Sequence, residues 1–130
     1  MLFTTKTEYG LKALRILADS AKNQAIPLSE IADSSGLSLS YLEQIFAKLK
    51  QAKIVKSTKG AEGGYALNRP AKAISLLAIV ESLEGRTAVN TCITSDHLSC
   101  SGGCLTRKIW LEIQHDMEVK LKKYKLSDLI

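Results

Sequence analysis

The sequence predicts a mainly α chain carrying one small β-hairpin, and three consecutive stretches make that prediction. The first is Leu28-Ser-Glu-Ile-Ala-Asp-Ser-Ser35, with Leu28, Ile31 and Ala32 at helical spacing. Gly36 follows it, where a helix can end in a left-handed residue at little steric cost. The second begins near Ser40 and runs to Lys50, with Leu42, Ile45, Phe46 and Leu49 forming one apolar stripe. The third pairs Ile54-Val-Lys-Ser57 with Gly64-Tyr-Ala-Leu-Asn68 around Thr58-Lys-Gly-Ala-Glu-Gly63, whose glycines supply the turn. Two helices joined so tightly make a helix-turn-helix, and the hairpin adds a wing. The second helix of such a unit can enter a DNA major groove. An αα-hairpin with a β-hairpin appended for packing alone is the plainer alternative.

The flanking elements complete the architecture. Thr5 is placed to cap a first helix running to about Asn23, with Tyr9, Leu14, Leu17 and Ala21 inward. Arg69-Pro70 breaks regular structure, after which Ser75 can cap a helix with Leu76, Ile79, Val80 and Leu83 apolar, ending at Gly85. Residues 86–104 are rich in Thr, Ser and Gly and predict a loop. From Leu105 to Tyr124 the chain reads as one helix of about 30 Å at 1.5 Å per residue. Along it Trp110, Ile113, Met117, Leu121 and Tyr124 recur at spacings of 3, 4, 4 and 3, a seam suited to a partner helix. Packing of that helix on its own body is the alternative. Two-fold symmetry suits a palindromic DNA site, which favours a homodimer. The expected organisation is a winged helix-turn-helix over residues 1–85, a cysteine-bearing loop over 86–104, and a C-terminal dimerisation helix with its tail over 105–130.

Composition narrows the function. The 130 residues suffice for one domain with a modest core. No apolar run approaches membrane-spanning length, and the N-terminus lacks the basic-then-apolar pattern of a secretory signal, so no membrane partner and a cytoplasmic location are expected. The net charge of +5 is uneven. Residues 1–72 hold eleven Lys/Arg against six Asp/Glu, while residues 73–130 hold seven of each. Lys48, Lys50, Lys53, Lys56, Lys59, Arg69 and Lys72 fall in and after the second helix of the motif, against Glu43 and Glu62 only. That is the charge pattern phosphate neutralisation requires, although a solvated lysine face is a common alternative. There is no nucleophile–base pair and no phosphate loop, and only two histidines are present, which argues against an enzyme.

Three cysteines form a second motif: Cys92, Cys100 and Cys104, with seven and then three residues between them. The odd count and a cytosolic setting argue against a structural disulfide framework. Ser101-Gly-Gly103 would let this stretch wrap thiolates around an ion or cluster, and thiolates suit iron–sulfur clusters and zinc alike. Inert surface thiols are the alternative.

Ser38-Leu-Ser-Tyr-Leu-Glu-Gln44, Gly60-Ala-Glu-Gly-Gly-Tyr-Ala-Leu67 and Leu77-Ala-Ile-Val-Glu-Ser-Leu-Glu-Gly85 together resemble the IscR-like (Rrf-two) regulators, bacterial winged-helix dimers. The resemblance spans nearly the whole chain. It implies DNA contacts from Ser38, Ser40, Tyr41 and Gln44, with Lys59 and Gly60 at the wing; Lys48 and Lys56 of the basic stretch are expected to join them on the DNA. The chemistry agrees, because Gln44 can pair with adenine N6 and N7 and serine hydroxyls can serve phosphate or bases. Many relatives carry Arg where this chain has Lys59. Ser40 and Glu43 also form an S-x-x-E capping box, which is a purely structural role for both. The resemblance further implies a [2Fe–2S] or [4Fe–4S] cluster held by Cys92, Cys100 and Cys104. Arg107 occupies the position where IscR-type members place a histidine, so a fourth ligand is sought elsewhere. Some relatives use an acid of the first helix, at the position of Glu8. His97 and His115 are the other candidates, and Thr5-Lys-Thr-Glu8 is itself a possible capping box. The function so implied is transcriptional regulation of a palindromic operator by iron–sulfur, iron or nitrosative/redox status. The rivals are a cluster-free regulator controlled by a partner or thiol oxidation, and a zinc-stabilised interaction module.

Overall fold

A computed structural model of the chain describes residues 3–20, 24–61, 63–86, 88–89 and 104–130. Cys92, Cys100 and His97 lie outside these residues, as do Ala21 and Asn23 at the expected end of the first helix. The described elements are α1 (Thr5–Asp19), α2 (Leu28–Ser35), α3 (Leu39–Gln51), β1 (Val55–Thr58), β2 (Gly64–Leu67), α4 (Leu76–Glu84) and α5 (Leu105–Lys123). Single 3-10 turns at Ala71–Ala73 and Leu126–Leu129 complete them. The fold is mainly helical with one antiparallel hairpin, in which Val55 pairs with Leu67 and Thr58 with Gly64.

Capping sets the helix starts, and two of them differ from the expectation. Thr4, not Thr5, is the cap of α1, its hydroxyl accepting from the Lys6 N–H at 3.2 Å. The same displacement occurs at α3, where Ser38 is the cap and accepts from the Tyr41 N–H at 3.2 Å. Ser40 and Glu43 are therefore helical residues and not the two halves of a capping box, and Glu8 likewise lies too far into α1 to close one. In both cases an earlier hydroxyl satisfies the orphan N–H groups of the first turn. Helix α1 ends at Asp19, with Ser20 as its extended C-cap, short of the expected end near Asn23, while the signals at Gly36 and Ser75 hold. Gly36 ends α2 at φ 72°, and Ser75 caps α4 with its hydroxyl 3.1 Å from the Ala78 nitrogen.

The apolar stripes meet in one core. Leu14, Ile31, Leu42, Phe46, Leu49, Ile54, Ile74, Ile79 and Leu126 are fully buried, each contributing about 1.5–3 kcal/mol relative to an exposed position. Gly10 lies where α1 crosses α4, and a Cβ there would collide with the Leu83 side chain. A third short strand segment braces the hairpin, since Ile26 and Tyr65 exchange backbone hydrogen bonds at 2.8 Å. A Cβ on Gly64 would strike the Ile26 carbonyl, so this close approach requires glycine. Two lysines tie elements together by donating to carbonyls at helix C-termini: Lys12 to Ser35 at 2.7 Å and Lys48 to Leu83 at 3.4 Å.

The chain after α5 returns to the body. The Leu76 N–H donates to the Tyr124 carbonyl at 2.9 Å, and the Leu126 N–H donates to Ile74 at 2.8 Å. Leu126 is thus a core residue of the N-terminal unit, 125 positions from the chain's first residue. Helix α5 packs on α4 yet buries only Gln114. Leu105, Ile109, Ile113 and Val119 are exposed, while Trp110, Met117 and Leu121 are half-buried. The expected seam is therefore divided: Trp110 and Leu121 lean towards the body, and the outward apolar stripe runs through Leu105, Ile109 and Ile113.

Candidate functional site

Helix α3 presents its apolar stripe inward through Leu42, Ile45, Phe46 and Leu49. By the 3.6-residue period the opposite face carries Ser40, Glu43, Gln44, Ala47 and Gln51, all exposed. Ser38 is exposed as well, but its hydroxyl already accepts from Tyr41, which leaves its O–H to donate. Tyr41 is half-buried against Tyr9, the rings meeting edge to face with centroids 5.6 Å apart. That contact fixes the tyrosine at the flank of α3. Lys48 projects on the same flank, towards the end of α4. Leu39, 44% exposed at the first turn, was not singled out by sequence reasoning, which seeks apolar residues only in the core.

Beside α3 the hairpin carries Lys56, Ser57, Thr58, Lys59 and Gly60, all exposed. Gly60 takes φ 111° and accepts the Gly63 N–H at 2.9 Å, which closes the tip and leaves Lys59 projecting into solvent. The structure thus brings Ser38, Ser40, Gln44 and Lys48 together on α3 and its flank, and sets Lys56, Lys59 and Gly60 on the adjoining wing.

The cysteine motif is described at one end only. Cys104 is exposed and stands at the cap position of α5. The backbone N–H groups of Arg107 and Thr106 pull its thiol below the ordinary value, assisted by the Thr106 side chain and the Arg107 charge. The thiolate is the form that ligates, so the donor chemistry at Cys104 fits a soft metal or cluster. Among the described residues no group of three His, Cys, Asp or Glu side chains lies together, and the expected ligands Cys92 and Cys100 lie outside them. Glu8 is exposed on α1 and His115 is exposed on α5.

Two networks lie at and just after the end of α4. The Glu84 Oε1 accepts from the Thr4 hydroxyl, the Thr4 N–H at 2.9 Å and the Thr7 hydroxyl at 2.9 Å. Burial pushes the Glu84 carboxyl up, but the Thr4 and Thr7 hydrogen bonds and the Lys6 charge outweigh it and hold the group below the usual range. The second centres on Gln114, whose carbonyl accepts the Val89 N–H at 2.9 Å while its amide donates to Glu118 at 2.8 Å. Neither was visible in the sequence, because Thr4 and Thr7 lie 80 and 77 residues from Glu84 and Val89 lies 25 residues from Gln114.

These features define a winged helix-turn-helix transcriptional regulator, with an exposed polar helix face and a basic wing. The chain belongs to the Rrf2 family, described as an iron-dependent transcriptional regulator, whose sequence pattern matches residues 3–130. The helix-turn-helix transcriptional regulator IscR of Yersinia enterocolitica is 31% identical over 132 positions, covering 100% of this chain and 79% of the relative. Among solved structures, CymR (YrzC), the global cysteine regulator of B. subtilis, superimposes with a TM-score of 0.81 at 31% identity, covering 99% of this chain and 95% of its own. The IscR of T. potens does so with a TM-score of 0.77 at 32% identity, covering 99% and 85%. Family members are transcriptional regulators, not enzymes. No described helix is long and apolar enough to cross a membrane.

Proposed function

We propose that this regulator is a homodimer that reads a palindromic operator with α3 and the wing, and that it senses iron–sulfur or redox status through a cluster held by Cys92, Cys100 and Cys104. The observation that carries the DNA reading is the outward face of α3, where Ser40 and Gln44 stand free of the core beside a wing carrying Lys56 and Lys59. Hydroxyls and an amide suit base edges, while the lysines neutralise phosphate. The exposed apolar stripe Leu105, Ile109 and Ile113 on α5 supports the dimer, since such a stripe on an isolated chain is left facing water. The family description as iron-dependent and the thiolate-favouring position of Cys104 support the cluster. When bound, the cluster supplies a labile, oxidisable centre. The protein itself would supply the thiolates, from a segment that follows the Glu84-tied end of α4 and leads into α5.

Footprinting on selected DNA, with iron and sulfide analysis after anaerobic purification, tests both halves. The expected result is a two-fold protected site and a brown protein absorbing between about 320 and 460 nm. A colourless protein that still binds the palindrome would favour a second reading, regulation by thiol oxidation without a cluster. Its supporting observation is that Cys104 is exposed and held towards the thiolate.

A further inference from the structure

A cleft of about 70 Å³ opens where the first turn of α1, the flank of α3 and the end of α4 converge. Lys6, Tyr41, Gln44, Ile45, Lys48 and Leu83 line it. Two of these are cations, and one, Gln44, belongs to the outward face of α3. The Lys6 ammonium donates no hydrogen bond to any described residue and acts on Glu84 only through its charge. Glu84 is itself occupied, because three donors from Thr4 and Thr7 converge on its Oε1. Lys48 spends one of three donors on the Leu83 carbonyl, at 3.4 Å.

Groove geometry says what such a cleft would meet. A helix about 10–12 Å across fills a major groove about 12 Å wide, so its flanks meet the phosphates of the two groove walls. Tyr41 and Lys48 form one flank of α3, and the first turn of α1 stands beside that flank. We infer that this cleft seats a backbone phosphate of the DNA, with Lys6 and Lys48 as its cationic walls. The inference deepens the proposed DNA reading and rests on it. It assigns α1 a share of the interface and makes Lys6 a contact that adds affinity without base preference.

The test titrates the full chain with a selected operator duplex and a scrambled duplex across a range of salt concentrations, using fluorescence anisotropy. Lys6→Gln should lose affinity roughly tenfold on both duplexes, with a salt slope shallower by about one per protomer. Lys6→Arg, which keeps the charge, should retain the wild-type slope, and Lys120→Gln on α5 should match wild type. A Lys6→Gln variant with an unchanged salt slope overturns the inference even if its affinity falls, because a disturbed α1 weakens binding without releasing fewer counterions. Wild-type protein with no salt-dependent DNA binding overturns the inference and the underlying DNA reading together. Binding by wild type with an unaltered Lys6→Gln variant overturns the phosphate seat alone.

Discussion

Gln44 stands one turn after Ser40 on the solvent face of α3, with no apolar neighbour on that face larger than Ala47. Its amide is free to form the paired hydrogen bonds that distinguish adenine, so Gln44→Ala should weaken operator binding by about 1–3 kcal/mol and relax preference at one position in each half-site. Sequence selection with the variant checks this, and an unchanged selected motif would remove Gln44 from base reading. Glu84 shows a different residue-scale effect. Its folded pKa is depressed, so its stabilisation is present above the ordinary glutamate range and is lost as pH falls through the lowered folded value. Glu84→Gln should therefore lower neutral-pH stability by about 1 kcal/mol, and the gap to wild type should close in acid. Thermal unfolding across pH measures it. Glu8 separates structure from ligation, because Thr4 takes the capping role. Glu8→Gln should leave the melting temperature of the metal-free protein unchanged while making the cluster more labile to oxygen. A cluster that stays intact in that variant but fails in His97→Ala would assign the fourth ligand to His97.

At the scale of elements, periodicity identified the five described α-helices, but polar pattern could not decide which hydroxyl begins one. Thr4 and Thr5 are chemically equal candidates, as Ser38 and Ser40 nearly are, and the choice falls to the residue whose extended backbone meets the first turn. Helix α5 carries the same lesson about faces. Apolar residues surround much of its circumference, so spacing alone grouped Trp110 and Leu121 with Ile113, and packing on α4 separates them. The outward stripe makes its own prediction. Ile109→Glu or Ile113→Glu should leave the core intact and weaken self-association by about 30-fold or more, since a charge replaces a central apolar anchor. Sedimentation velocity over a concentration series checks it, and unchanged mass would place the dimer contact elsewhere.

Across the whole molecule, the contacts that the sequence leaves unread are those that close over long separations. The α-helical units, the wing and Gly36 follow from local chemistry, whereas Leu126 enters the core only because residues 74–76 pair with the segment after α5. Glu84 and Gln114 are likewise unremarkable in the sequence, yet Glu84 fastens the end of α4 to α1 and Gln114 fastens Val89 to α5. Thiolate ligation is collective, so each of Cys92→Ser, Cys100→Ser and Cys104→Ser should lose most of the iron and not a third of it. Full iron occupancy in one variant would take that cysteine out of the ligand set. The most direct test of the account compares operator affinity for anaerobically purified protein before and after its iron is removed. Coupling between cluster and DNA face predicts a change of roughly 5- to 150-fold with two-fold protection kept in the tighter form, and equal affinity in the two forms would contradict it.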